Sequence, residues 1–446
     1  MRLRRFLSPA AASLLLLPAP GCDGGPSSPE LEPGVFAAVS VDFGAPVAGV
    51  RSMSGLLLGT RDGSPPDSLI APLQPRLWRD RYLSNVPMIT GMGARYHFLL
   101  SDHWGYPMDG WPRGRPFQDP AGWERFVRDM AVQARGMPLI WDVWNEPDPH
   151  GPTFWDASEA EFFQTYLRAY RVLREVLGPE AVVAGPSIAK YDEGFLKRFA
   201  DFCLANRCEV NVLTWHEMGV HRPLSVIEEH LRTIRRDIVQ NRKYAPLKIR
   251  EIHINEVVGP QETQNPAAIL SYLRYLELGG ADAAARACWG EPGNQSSCEN
   301  NTLGGLLTPG DFRRRASWWA NAWYAAGADS RVKSEVTDER VASLASRSVD
   351  GRAQLLVGYS SVSVAEAPQR ASLSLRLERL GALPFAASAG RVRVSVSRVP
   401  NGGLDAVPAP IPVFTRDLEV TDGKARLVIE GAERDALYRV LVEAAP

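Results

Sequence analysis

Three carboxylates of this chain stand where a rigid strand could hold them for proton-transfer chemistry: Glu146, Glu217 and Glu256. Leu139-Ile140-Trp141-Asp142-Val143-Trp144 reads as a short buried strand that runs directly into Asn145-Glu146-Pro147. Pro147 cannot donate a ladder hydrogen bond and disfavours helix at the residue before it, so the strand must stop there. Glu146 is then presented at a strand tip walled by tryptophans, and an apolar wall raises a carboxyl pKa, as a general acid near neutral pH requires. Glu256 ends the run Leu247–Glu256, just ahead of Val257-Val258-Gly259-Pro260, whereas Glu251 lies lower in the same run with the opposite side-chain parity. Glu217 follows Trp215-His216 at the tip of the strand Val210–Thr214 and is the rival carboxylate.

The elements that must position these groups alternate. Apolar runs are expected as strands at Val50–Leu58, Leu73–Arg79, Gly93–Asp102, Leu139–Trp144, Ala181–Ser187, Val210–Thr214, Leu247–Glu256 and Ala281–Trp289. Helical spacing separates the later ones: Gly122–Arg135, Ser158–Leu177, Glu193–Asn206, Ile227–Asn241 and Pro266–Leu278. Strand then helix in this rhythm, with strands apolar on both faces, predicts a parallel α/β fold. From about Asp329 the texture changes to period-two alternation, as in Arg391-Val392-Arg393-Val394-Ser395-Val396, which predicts an antiparallel β sandwich. The run from Val35 to Phe43 has β character and fits either a strand lent to that second domain or the approach to the first.

Trp144-Asn145-Glu146-Pro147 resembles the acid/base motif of the clan A glycoside hydrolases, retaining enzymes built on a (β/α)8 barrel. The longer match from Trp141 to Asp148 looks most like family 39, the β-xylosidases and α-L-iduronidases. The resemblance spans roughly Val50 to Ala325 and implies a (β/α)8 barrel over residues 35–328 followed by a β-sandwich domain over residues 329–446. It implies Glu146 as acid/base and Glu256, on the seventh strand, as nucleophile, about 5–5.5 Å apart. Asn145 matches the clan asparagine that can bind a sugar 2-hydroxyl, and His216 the sixth-strand histidine of the family, with Met218 where the family has tyrosine. Arg76 and Arg79 compete for the arginine at the barrel mouth. Trp289 falls where the clan often has an eighth-strand aromatic, and Trp104, after the third strand, either stacks on a sugar or packs against its own loop. Many family members have Thr-Glu-Trp at the nucleophile, where this chain has Asn255-Glu256-Val257. The expected chemistry is double displacement on an oligo- or polysaccharide without metal or organic cofactor. An endo-acting glucanase or mannanase of the clan, or a non-catalytic carbohydrate-binding surface lipoprotein, are the alternatives.

At 446 residues the chain suits a barrel of about 250 residues plus an accessory domain. A formal net charge of −1 and the lack of a long basic block argue against nucleic acid as a partner. Arg2, Arg4 and Arg5, the apolar run Ala10–Leu17 and Ala19-Pro20-Gly21-Cys22 resemble a bacterial lipoprotein signal, with residues 1–21 removed and Cys22 lipidated. Residues 22–34 read as a Pro-, Gly- and Ser-rich tether. The expectation is an exported protein held to the cell envelope by its lipid anchor. Setting Cys22 aside leaves two close pairs, and proximity in an oxidising compartment predicts Cys203–Cys208 and Cys288–Cys298 disulfides.

Overall fold

The computed structural model describes residues 33–61, 63–148, 153–219, 222–349, 351–361, 366–388 and 390–446. Cys22 and the signal and tether readings lie outside these residues, apart from the last two residues of the tether. The first strand, β1 (Ala37–Pro46), does not enter the barrel. Eight short parallel strands close the barrel in chain order: β2 (Gly55–Leu57), β3 (Leu77–Asp80), β4 (Arg95–Leu99), β5 (Leu139–Asp142), β6 (Val182–Ile188), β7 (Val212–Glu217), β8 (Glu251–Val257) and β9 (Ala283–Arg286). β2 pairs with β9 through Leu56 and Arg286, which completes the ring.

Most strands are shorter than their apolar runs, and β6 and β7 are shifted along theirs, because the pairing register, not the hydrophobicity, sets their ends. The run from Gly93 to Asp102 splits into β4 and a short helix, Leu100–Trp104, so Trp104 is helical rather than in a loop. β7 runs on through Trp215, His216 and Glu217, with a register shift against β8 at Trp215/His216. The helix Glu193–Asn206 has the predicted bounds. The helix Glu159–Leu177 is started by a reciprocal capping box: Glu161 N–H donates to the Ser158 hydroxyl, and the Glu161 carboxylate accepts from Ser158 N–H. Its Phe162, Phe163, Tyr166 and Leu173 are buried on the barrel side.

The second domain is one continuous nine-stranded sheet. Its later strands are β12 (Arg331–Val336), β13 (Val341–Val349), β14 (Arg352–Tyr359), β15 (Arg370–Glu378), β16 (Arg391–Val399), β17 (Ile411–Glu419), β18 (Ala425–Glu433) and β19 (Leu437–Ala444). The order is β17-β16-β19-β14-β13-β12-β1-β15-β18, with β1–β15 parallel and the other pairs antiparallel. One core gathers residues from both ends of this sheet, including Val39, Leu373, Ile429, Val392 and Val440, so the sheet wraps around its own interior. Of the two placements open for the Val35–Phe43 run, pairing selects the second domain, so the barrel begins after β1 and not at residue 35.

The helix Pro266–Gly279 is buried on nearly every side because it lies between barrel and sheet. Arg274 at its surface donates to the Ser343 carbonyl at 2.6 Å, and Glu277 pairs with Arg331 at 3.0 Å with both side chains almost fully buried. Among the described residues no helix is long and apolar enough to cross a membrane.

Candidate active site

The C-terminal ends of the barrel strands converge on Glu146 and Glu256. Oxygen and nitrogen atoms of Glu146, His216 and Glu256 lie within 4.8 Å of one another. Carboxyl groups this close match the spacing at which one carboxylate attacks an anomeric carbon while the other protonates the leaving oxygen. Glu146 sits just beyond β5 with φ at +48°, a left-handed conformation unusual for glutamate, and its N–H donates to the Ser187 carbonyl at 2.9 Å. Ser187 is itself left-handed, at +55°. Two neighbouring strand ends thus hold each other in backbone conformations that aim the carboxylate.

Arg79 decides how Glu256 is held. Fully buried at the end of β3, it donates Nη1 to Glu256 Oε1 at 2.6 Å, Nε to Asp142 Oδ2 at 2.8 Å and Nη2 to Asn145 Oδ1 at 2.9 Å. Burial alone would lower its pKa, but Asp142 and Glu256 outweigh that and hold the guanidinium charged above its ordinary range. Arg76, its competitor for the mouth position, instead points outward and pairs with Asp329 at 3.1 Å. An arginine only donates, so Asn145 must turn its oxygen to Arg79, which leaves Nδ2 as the donor it can offer a sugar hydroxyl.

His216 bridges the two carboxylates, with Nδ1 3.1 Å from Glu146 Oε1 and Nε2 3.9 Å from Glu256 Oε1. Burial lowers its pKa to about 4, working against the pull of Glu256, so it is neutral near neutral pH. A neutral imidazole can accept a proton bond from protonated Glu146 without repelling Arg79. Glu256 is pushed above the ordinary carboxyl range, chiefly by burial and in part by Glu146, with His216 and Arg79 acting in the opposite direction.

Beneath the pair lies a polar layer that sequence reasoning did not assign. Asp142 accepts from Arg79, from Asn255 Nδ2 at 2.8 Å and from Ser187 Oγ at 2.7 Å, and Ser187 Oγ also meets Thr214 Oγ1 at 2.8 Å. Burial would raise the Asp142 pKa, but Arg79, His97 and Ser187 hold it well below the usual range. A charged residue inside the otherwise apolar run Leu139–Trp144 was the available signal.

Around the pair is a cavity of about 500 Å³, open at the barrel mouth. Asn145, Glu146, Glu256 and Trp289 all line it. Trp289 donates its indole N–H to the Val258 carbonyl at 3.1 Å, which fixes the ring at the wall. It is carried by the hairpin of β10 (Gly290–Glu291) and β11 (Gln295–Ser296), closed by a Cys288–Cys298 disulfide with Cα atoms 5.1 Å apart. Arg81, Asp102, Tyr106, Met108, Phe154 and Glu299 complete much of the lining, and of these only Tyr106, an aromatic in the stretch after the third strand, was a candidate sugar contact from the sequence.

Three expectations are corrected. Trp104 does not reach the cavity: it is buried edge-on against Trp123 and Phe126, with its indole N–H donating to the Gly114 carbonyl at 2.8 Å. Glu217 is no alternative nucleophile, because strand parity turns it away from His216 to meet Trp215 Nε1 at 2.9 Å and His230 Nδ1 at 2.8 Å. Cys203 and Cys208 are free buried thiols. Cys208 N–H instead closes the end of the helix Glu193–Asn206 on the Cys203 carbonyl at 3.0 Å, around left-handed Arg207.

Glu146, His216 and Glu256 are also close enough together to hold a metal ion. A guanidinium 2.6 Å from Glu256 already supplies positive charge there, so an added divalent ion would meet like charge.

The fold and this constellation define a (β/α)8 barrel with a β-sheet domain, of the architecture found in glycoside hydrolases. Protein N2152 from Neocallimastix frontalis superposes with a TM-score of 0.71 at 20% identity, covering 92% of this chain and 100% of that one. A glucosidase from Croceicoccus marinus gives 0.65 at 15% identity, over 92% of this chain and 99% of that one. A GH39 β-xylosidase from Caulobacter crescentus gives 0.58 at 16% identity, over 91% and 99%. At these identities the likeness is one of fold, including the order of barrel and sheet domain. No protein-family model matches the chain, and no curated protein matches it either.

Proposed function

We propose that this protein is a retaining glycoside hydrolase. The reading is carried by Glu146 and Glu256 standing within 4.8 Å of each other at strand ends, one beside a neutral histidine and the other on an arginine. Ionised Glu256 attacks the anomeric carbon and forms a glycosyl ester, while Glu146 gives its proton to the departing oxygen. Glu146 then takes a proton from water, and the resulting attack breaks the ester with net retention. His216 holds the acid/base oxygen, Arg79 orients the nucleophile, and Asn145 Nδ2 faces the sugar.

The finer reading is a β-xylosidase-like exo-enzyme of family 39, supported by the Trp141–Asp148 motif and the position of His216. Export and anchoring through Cys22 are proposed from the N-terminal sequence, and the Cys288–Cys298 disulfide fits an oxidising compartment. The test is hydrolysis of a 4-nitrophenyl glycoside panel (xyloside, glucoside, galactoside, arabinoside and glucuronide), with Glu146→Ala and Glu256→Ala alongside. Turnover abolished in Glu256→Ala, with the product first released in the configuration of the substrate, is expected. An inverted first product would overturn the mechanism. Silence on these glycosides and on polysaccharides alike would leave a carbohydrate-binding protein.

A further inference from the structure

The cavity is chemically divided, and the division follows the catalytic pair. Charged side chains cluster on the connections after β3, β4 and β9. Arg81 bonds Asp102 at 3.4 Å and also pairs with Glu299, while Tyr106 donates to Asp102. With Trp289 they give the dense hydroxyl-binding surface, and the ring face, that a sugar needs.

The later part of the connection after β4 and the connections after β5 and β7 are different. Phe154 lies eight residues beyond Glu146 on the connection from β5, and its carbonyl accepts from Trp144 Nε1 at 3.0 Å. Met108 is tied to that connection by its N–H, which donates to the Thr153 carbonyl at 3.3 Å. Met218 follows β7 directly, two residues beyond His216, the residue that bonds Glu146. All three line the cavity. Met108 is 62% exposed, the most open of the large hydrophobic side chains among the described residues, although it stands at the rim of a polar site. Asp109 beside it also lines the cavity and is exposed to solvent, so this part of the wall ends in one carboxylate at its outer edge. Two thioethers and a phenyl ring make an adaptable apolar surface but offer a sugar's hydroxyls no strong partner.

We propose that Met108, Phe154 and Met218 form an apolar leaving-group subsite, so that the substrate is a glycoside of an alkyl or aromatic alcohol rather than of a second sugar. This rests on the glycosidase reading, because it is the acid/base residue that defines the leaving-group side. The bond between the anomeric carbon and the aglycone oxygen breaks, a bond to Glu256 forms, and the Glu146 proton leaves on the aglycone as its neutral alcohol. Water then replaces Glu256, so the products are free sugar and free alcohol.

The experiment compares methyl, butyl and octyl glycosides of whichever sugar the enzyme accepts, together with a disaccharide carrying the same non-reducing sugar. The three alkyl alcohols have similar acidity, so demand on Glu146 is constant and the aglycone contact alone varies. A rise in kcat/KM of at least about tenfold from methyl to octyl is expected, with the octyl glycoside preferred to the disaccharide. Met218→Gln and Met108→Gln, each checked for a native melting curve, should flatten the series while leaving the methyl glycoside the least affected member. A flat series in the native enzyme, or a preference for the disaccharide, overturns the subsite while leaving the glycosidase intact. Failure to cleave any alkyl member, for a sugar whose 4-nitrophenyl glycoside is turned over, also overturns the subsite alone, whereas turnover that survives Glu256→Ala overturns the glycosidase reading and the subsite with it.

Discussion

Arg79 serves Glu256, Asp142 and Asn145 with three different nitrogens, so its charge is divided between the nucleophile and a buried aspartate. Activity requires Glu256 ionised, and burial has already pushed that ionisation above its ordinary 4.5. Turnover should therefore rise with pH along an acid limb lying above the usual carboxyl range. Arg79→Gln, which removes one of the two groups lowering the Glu256 pKa, should move that limb to higher pH as well as reduce kcat, as read from a kcat/KM–pH profile. A limb that stays in place would mean that Arg79 acts on geometry alone.

His216 gives a second prediction, about stability. Its folded pKa of about 4 lies below the ordinary 6.5, so the unfolded chain binds the proton more readily. The stability this group contributes is fully present above pH 6.5 and drains away as pH falls toward 4. His216→Gln should flatten that part of the stability curve by a few kcal/mol at most, measured by urea unfolding at stepped pH. His253, buried below and lowered to about 3, continues the slope in the variant and serves as its internal comparison. The chemistry-bearing residues Asn145, Glu146, His216 and Glu256 were legible in the sequence because each closes or ends a short apolar run. Asp142 and Asn255 lie inside such runs, and no local pattern reveals that they meet Arg79 and Ser187 from other strands.

At the scale of elements, the site depends on connections more than on strands. The hairpin of β10 and β11 brings Trp289 and Glu299 to the cavity, and the Cys288–Cys298 bond closes its base over a separation of ten residues. Changing both cysteines to serine should cost about 3 kcal/mol by loop entropy and raise KM more than it lowers kcat. Thermal unfolding and steady-state kinetics on one preparation would check both parts; an unchanged KM would mean that the hairpin is ordered without its staple. Proximity in sequence predicted both cysteine pairs, and the outcomes were opposite. Cys203 falls in the last turn of a helix whose backbone termination brings Cys208 back to it, whereas Cys288 and Cys298 flank a hairpin that puts their Cα atoms 5.1 Å apart.

For the whole molecule, barrel and sheet are held together through the helix Pro266–Gly279. Its Glu277 and Arg331 are nearly fully buried, so removing one partner strands a charge in the interface. Glu277→Ala should destabilise the protein by about 3–5 kcal/mol, while the paired change Glu277→Leu with Arg331→Met should recover much of that loss. Calorimetry of the two variants distinguishes the outcomes; equal loss in both would mean that shape rather than charge governs the contact.

The sequence by itself determined the alternation of strand and helix, the switch to period-two strands after Asp329, and the acid/base and nucleophile candidates, because burial writes its period along the chain and strand tips carry short signatures. Only the tertiary structure decided that β1 completes the distant sheet, that Arg79 and not Arg76 enters the barrel, and that Glu217 and Trp104 turn away from the cavity. The first three of those outcomes depend on which strands become neighbours and in what register, and that of Trp104 on which helix packs against it. Pairing is a relation between segments far apart in the chain, and it leaves no mark in either one alone.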